Sequence, residues 1–253
     1  MIIASPTRAD IKELRKLWQE AFGDTEEFLD SFEKTAFSTD RARCIFHNGE
    51  VVCALYWFDC SCNGQRIAYL YAIATAKKLR GQGLCSALMK NTHEHLRASC
   101  YDGAILVPGS SDLFRFYERL GYKTCSFVKN FNCTAASHPT AIRKIGVDEY
   151  KALRRKALPE NAVIQECENL EFLQTMAELY AGDSFLIAAR KIKNVLHVSE
   201  LLGDESIAPM ITKALDCHEG VFRTVGNETP FAMYFPLSEK GSVAPSYFGL
   251  AFD

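Results

Sequence analysis

Between Tyr69 and Met89 the chain carries its clearest capacity for chemistry. Tyr69 to Ala76 is an apolar run rich in aromatic and β-branched residues, which predicts a buried strand. A short basic stretch with Lys77, Lys78, Arg80, Gly81 and Gly83 follows. Leu84, Ala87 and Leu88 then fall at helical spacing, predicting a helix to about Leu96. A strand that feeds a glycine-containing loop opening a helix can hold an anionic phosphate. The glycines let backbone N–H groups approach the ligand, and the helix N-terminus adds unpaired donors and a positive dipole end. Lys77 and Lys78 themselves read as a solvated loop, since surface lysines need no special role.

Other chemistry-bearing residues do not assemble into a site. Ten cysteines are scattered without a paired framework, and Cys60-x-Cys62 fits alternate residues of a strand end better than a zinc site. His93 and His95, two apart on the predicted helix, do not share a face. His138, His197 and His218 lack partners at ligand spacing. No metal is expected, and no Cys/His or Ser/His/Asp arrangement is suggested by position.

The flanking segments must position the loop. Ile11, Leu14, Leu17, Trp18, Ala21 and Phe22 predict an amphipathic helix over residues 8–22, stopped at Gly23. Asp24 or Thr25 caps a second helix with Phe28, Leu29 and Phe32. Asn48-Gly49 and Asn63-Gly64 mark two hairpins, so three antiparallel strands lead into the loop. After the helix at 84–97 come a strand from Gly103 to Pro108, a helix from Asp112 to Leu120 and a strand from Tyr122 to Cys133. This order predicts a mixed α/β sheet. The small, polar, proline-ended stretch Thr134 to Pro139 places a boundary between residues 1–135 and 139–253. Beyond it the same kinds of element recur, with helices at 147–158, 170–180 and 207–215 and strands at 184–189, 194–202, 220–225 and 231–236.

The composition is that of an ordinary globular protein, 48% hydrophobic and 24% charged with net charge −2. That balance argues against nucleic acid or a membrane surface as partner. No apolar run approaches the ~18 residues of a membrane helix. Without an export signal, the cysteines are expected to be reduced thiols of a cytoplasmic protein.

Arg80-Gly81-Gln82-Gly83-Leu84-Cys85 resembles the acetyl-CoA signature of the GNAT N-acetyltransferase superfamily, with Cys85 in place of the usual final glycine or alanine. Phe116-Tyr117-Glu118-Arg119-Leu120-Gly121-Tyr122 resembles the family's second segment, at the expected distance. The resemblance covers residues 1–135. It implies the GNAT fold with splayed central strands and acetyl-CoA as co-substrate. The backbone of Ile73 and Thr75 would meet the pantetheine arm. Backbone N–H groups from Arg80 through Gly81, Gln82, Gly83, Leu84, Cys85 and Ser86 would cradle the pyrophosphate, with Arg80 also meeting phosphate charge.

The implied activity is direct acetyl transfer to an amine acceptor. Tyr117 is the expected acid for the leaving thiolate. The base stays open, because residues 66–76 contain no carboxylate. Glu26 and Glu27 on the second helix, an ordered water chain, and Asp253 as a C-terminal carboxylate are the candidates. Phe28 and Tyr71 are expected on the acceptor side. The second half resembles a degenerate GNAT-like copy in tandem, its loop at 203–206 carrying Asp204 and Glu205, which would repel a pyrophosphate. It is expected either to cover the acceptor site, with Tyr234, Tyr247 or Phe248, or to act as scaffold. A non-catalytic acyl-CoA sensor or adaptor is the alternative function, and transfer of a bulkier acyl group a third.

Overall fold

The computed structural model of the chain describes residues 1–238 and 243–252. Packing divides them into two units, residues 1–123 with the described part of 234–243, and residues 124–233 with those from Ala244 on.

The first unit runs β1 (Ile2–Ala4), α1 (Ile11–Phe22), α2 (Glu26–Thr35), β2 (Ala42–His47), β3 (Glu50–Cys62), β4 (Gln65–Thr75), α3 (Leu84–Ala98), β5 (Gly103–Leu106) and α4 (Ser111–Arg119). Its strands lie in the order β1-β2-β3-β4-β5. Local signals set most of these bounds. Gly23 ends α1 in the left-handed conformation, its N–H on Gln19 O at 3.0 Å. The Thr25 hydroxyl caps α2 by accepting from Phe28 N at 3.3 Å. Asn48-Gly49 and Asn63-Gly64 have positive φ at both positions, as two-residue hairpin turns of matching twist require.

Both faces of β3 are covered, which is why its sequence is a near-continuous apolar run. Tyr56 meets Trp18 of α1 at 5.1 Å between ring centres, and Phe58 meets Phe32 of α2 at 6.3 Å. From the opposite face Trp57 meets His95 of α3 at 5.9 Å. β4 pairs in parallel with β5 only over Ile67–Tyr69, opposite Gly103–Ile105. Beyond Tyr69 the two strands part.

The second unit contains β6 (Lys123–Thr134, from Thr124 on), β7 (Arg143–Lys144), α5 (Val147–Ala157), β8 (Ile164–Gln165), α6 (Glu168–Met176), β9 (Glu178–Ala181), β10 (Phe185–Ile192), β11 (Val195–Gly203), α7 (Ala208–Ala214), β12 (Glu219–Val225) and the start of β13 (Thr229–Pro236), as far as Met233. The order β6-β12-β11-β10-β9-β7 makes a mixed sheet in which β11 and β12 are parallel. Its core packs α7 on Ile187, Val198, Leu201 and Phe222. A fully buried ion pair lies in this unit. Arg154 donates to both oxygens of Glu200 at 2.7 and 2.9 Å, and the Tyr150 and Tyr247 hydroxyls donate to the same carboxylate at 3.3 and 3.1 Å.

Three readings of the sequence are corrected. A short edge strand, β1, precedes the first helix. The segment expected as one helix over 170–180 ends at Met176, and Glu178–Ala181 pairs with β10 instead. The division falls between residues 123 and 124 rather than near 136, and the chain returns to the first unit at Tyr234. That return is specific. The Tyr234 ring fills the niche left by Gly103, where an added Cβ would stand 2.2 Å from it. Phe235 stacks on His93 at 4.2 Å, and Leu237 N donates to Asp102 O at 2.9 Å.

Candidate active site

The parting of β4 from β5 opens a cleft of about 580 Å³ in the first unit. One wall is the end of β4, with Ile73, Ala74 and Thr75. The loop and first turn of α3 form the floor, with Arg80, Gly81, Gly83, Leu84, Cys85 and Ser86, and α4 closes the third side with Leu113, Phe116 and Tyr117.

The backbone is shaped for a ligand at two places. Ala72 has φ +47°, and between the pairs Ala54–Ala74 and Tyr56–Tyr71 β4 holds one residue more than β3. This bulge re-aims the main chain at the point where β4 leaves β5. Gly81 and Gly83 have φ +77° and +76°, with nothing within 4 Å of an added Cβ. The first bond of α3 runs from Ala87 N to Gly83 O at 3.0 Å, so the amides of Leu84, Cys85 and Ser86 make no bond within the helix. They border the cleft as a ready donor set for a pyrophosphate. The Arg80 Nε donates to Thr75 O at 3.1 Å, folding the loop onto the end of β4.

Tyr117, 6% exposed, borders the same cleft. Burial raises its hydroxyl well above the ordinary value, and Cys85 and Cys53 nearby add to this. It is therefore a protonated donor at neutral pH. Its ring is braced by Phe116 at 5.1 Å and Tyr122 at 5.8 Å. Tyr122 is in turn held by His93, whose Nε2 lies 2.7 Å from its hydroxyl. Cys85 fits the loop's last small position. Burial, with a smaller contribution from Cys53, pushes its thiol up to about 12, so it is not a thiolate nucleophile. Cys53 Sγ lies 3.2 Å from Thr75 Oγ1.

The remaining expected residues lie elsewhere. Gln82 is exposed at the loop tip and does not line the cleft. The Glu26 carboxylate accepts from Arg15 and Gln19, and the Arg15 bond, as the largest cause, lowers its pKa. Glu27 is exposed on α2 and Phe28 is half-buried, its ring centre 6.2 Å from that of Trp18, and neither borders the cleft. Tyr71 belongs to the aromatic cluster under α1 and α2, 5.7 Å from Trp18 and 5.5 Å from Phe58. Lys77 N donates to Glu20 at 2.7 Å, and Lys78 pairs with Glu50 at 3.5 Å. Tyr247 and Phe248 are buried in the second unit, and Tyr234 is buried in the first. Asp253 lies outside the described residues.

Sequence reasoning missed Phe22 and Leu113, apolar residues 48% and 38% exposed that border the cleft. Their signal was an apolar residue at the end of a helix and one on the first turn of α4. It also missed the bulge at Ala72, for which no local signal exists.

The comparisons agree with this geometry. Residues 3–125 match the family model of the acetyltransferase (GNAT) domain. The parted strands and the glycine loop that opens α3 agree with that match, which marks residues 3–125 as a GNAT-type domain. The whole chain is similar in fold to crystal structures of GCN5-related N-acetyltransferases. For the one from Kribbella flavida the identity is 15%, the TM-score 0.68, and 92% of this chain and 70% of that one are covered. For the one from Anabaena variabilis the identity is 13%, the TM-score 0.70 and the coverage 94% and 73%. For the one from Sphaerobacter thermophilus they are 15%, 0.57, and 98% of both chains. No curated protein matches the chain. Among the described residues no helix is long and apolar enough to cross a membrane, and no group of side chains could hold a metal ion.

Proposed function

We propose that the chain is an acetyl-CoA-dependent N-acetyltransferase that moves the acetyl group directly to an amine. The observation that carries this reading is one cleft bordered both by free helix-terminal amides and by a protonated tyrosine. The amides of residues 80–86 hold the pyrophosphate, and the β4 edge at Ile73 and Thr75 meets the pantetheine arm as an added strand would. A backbone N–H at the bulge stabilises charge on the thioester oxygen. As the amide C–N bond forms and the C–S bond breaks, the Tyr117 hydroxyl gives its proton to the leaving sulfur. The amine proton leaves through water, since Glu26 is occupied by Arg15 and β4 carries no carboxylate.

Acetylation of polyamines, aminoglycosides, amino acids and peptides by wild type and Tyr117→Phe tests this. Tyr117→Phe should lower kcat about 10²-fold or more while acetyl-CoA still binds. If acetyl-CoA binds, no amine is acetylated and Tyr117→Phe is silent, the chain is an acyl-CoA sensor. The missing β4 carboxylate favours that second reading. If no acyl-CoA binds, both readings fall.

The second unit we read as a degenerate copy of the first. Helices, antiparallel strands, a loop, a helix and a parallel strand follow in the same order. Its loop is acidic, Asp204 capping Ser206 N at 2.9 Å and Glu205 pairing with Lys129 at 2.6 Å. A titration should therefore find a single equivalent of acetyl-CoA per chain, and a second equivalent would refute the reading.

A further inference from the structure

The first unit has a second hollow, on the α3 side of the sheet, of about 440 Å³. That is within the range of small-molecule sites, roughly 300–1,000 Å³. His95 and Ser99, near the C-terminal end of α3, border it, whereas the cleft is bordered by Leu84 to Ser86 at the other end. At 1.5 Å per residue the two ends of α3 are about 20 Å apart. The hollow is separate from the acyl-CoA cleft.

Its lining is charged, and the charges balance. Arg41 and Arg66 supply two guanidinium groups, Asp40 and Asp59 two carboxylates. A buried hydroxyl fixes part of this set. Tyr101, 5% exposed, accepts from Trp57 Nε1 at 3.1 Å and from Arg66 at 2.9 Å, and donates to Asp59. The Arg66 guanidinium lies 3.9 Å over the Tyr101 ring and donates to Ser99 O at 3.1 Å. It reaches Asp59 Oδ1 at 3.1 Å, while Arg41 stands 3.8 Å from Asp59 Oδ2. Asp40 is exposed at the rim, and Ser38 Oγ accepts its N–H at 3.2 Å, leaving the hydroxyl proton to donate elsewhere. Burial and the nearby Arg43 hold His95 below its ordinary value, so it adds no charge. Trp57 and Tyr101 give the hollow an aromatic backing.

A plain anion entering this basin meets two carboxylates, and a plain cation meets two guanidiniums. A ligand with one of each satisfies both, its carboxylate toward Arg41 and Arg66 and its ammonium toward Asp40 and Asp59. We propose that this hollow is a binding site for a small zwitterion of the free α-amino acid class, distinct from the acetyl-transfer cleft.

Calorimetric titration of the full chain tests this, with free glycine, aspartate, glutamate, lysine, arginine and phenylalanine, and with the N-acetyl and methyl-ester forms of whichever binds. At least one free amino acid should bind, and removing either its ammonium or its carboxylate should weaken binding by about tenfold or more. Arg66→Gln and Asp40→Asn should each weaken it about tenfold, with acetyl-CoA affinity unchanged. Asp40→Asn alone decides if Arg66→Gln fails to fold, because Asp40 is exposed. The proposal is overturned if no free amino acid binds, if a capped form binds as well as the free one, or if Asp40→Asn leaves the affinity unaltered. In the last case the amino acid occupies the cleft. Acetyl-CoA titration reports separately on the cleft, so failure here leaves that reading untouched.

Discussion

Replacing Gly83 by alanine isolates what the loop conformation contributes to binding. Gly83 sits at φ +76° and ψ 3° before the first turn of α3, and an added Cβ meets nothing within 4 Å. The substitution creates no clash, so its effect is conformational. An L residue in the left-handed region costs about 1–2 kcal/mol. In the free protein the loop can relax and escape part of that cost. Holding a pyrophosphate on the amides of Leu84 to Ser86 restores the conformation, so up to the same 1–2 kcal/mol is lost from binding. That is roughly a 5–30-fold rise in Kd for acetyl-CoA. Gly49 is the internal control. At φ +82° in the first hairpin, again with nothing within 4 Å, it carries the same strain at a position that does not border the cleft. Gly49→Ala should lower stability by about 1–2 kcal/mol and leave Kd unchanged. Gly83→Asn should recover most of the affinity, because asparagine tolerates the left-handed region. Isothermal titration with acetyl-CoA, beside thermal melts of each variant, reads both quantities. Wild-type affinity in Gly83→Ala would refute the assignment of these amides to the phosphates, as would an equal loss in Gly49→Ala.

Two further perturbations probe the packing. Glu200→Ala strands Arg154 in a site where its side chain is 3% exposed, and denaturant titration should show a loss of about 3–5 kcal/mol, with much of it recovered in the double variant Arg154→Met/Glu200→Leu. His93, buried against Tyr122 and Phe235, is pushed down by desolvation to about 4 from an ordinary 6.5. Its neutral form is favoured by the fold, so its contribution is complete above pH 6.5 and is lost as pH falls from there toward 4. Stability should drop across that window by up to about 3 kcal/mol. His93→Gln, measured over the same range, should remove most of the slope, and an unchanged slope would assign it to other groups.

Much of the site was legible because its signals are local. Left-handed glycines, a threonine cap, two Asn-Gly turns and the step from strand to loop to helix are each written within a few residues, where backbone sterics and short hydrogen bonds decide the outcome. The edge strand β1 was not legible, since three residues become a strand only by pairing with Cys44–Phe46. The stretch at 170–180 has helical spacing throughout, yet its end joins β10, because pairing there outweighs propensity.

The sequence by itself determined that a glycine loop opening a helix follows a buried strand, that Tyr117 lies on the next helix, one strand on, and that no carboxylate lies on the strand before the loop. Tertiary structure decided the rest. Burial raised the pKa of the Cys85 thiol and of the Tyr117 hydroxyl, since a pKa depends on which groups surround the atom. Arg15, eleven positions upstream, took Glu26 out of consideration as a free base. Tyr234 and Phe235 returned to complete the first unit. They fit only the niche at Gly103 and the face of His93, and those surfaces exist only once the distant segments have packed.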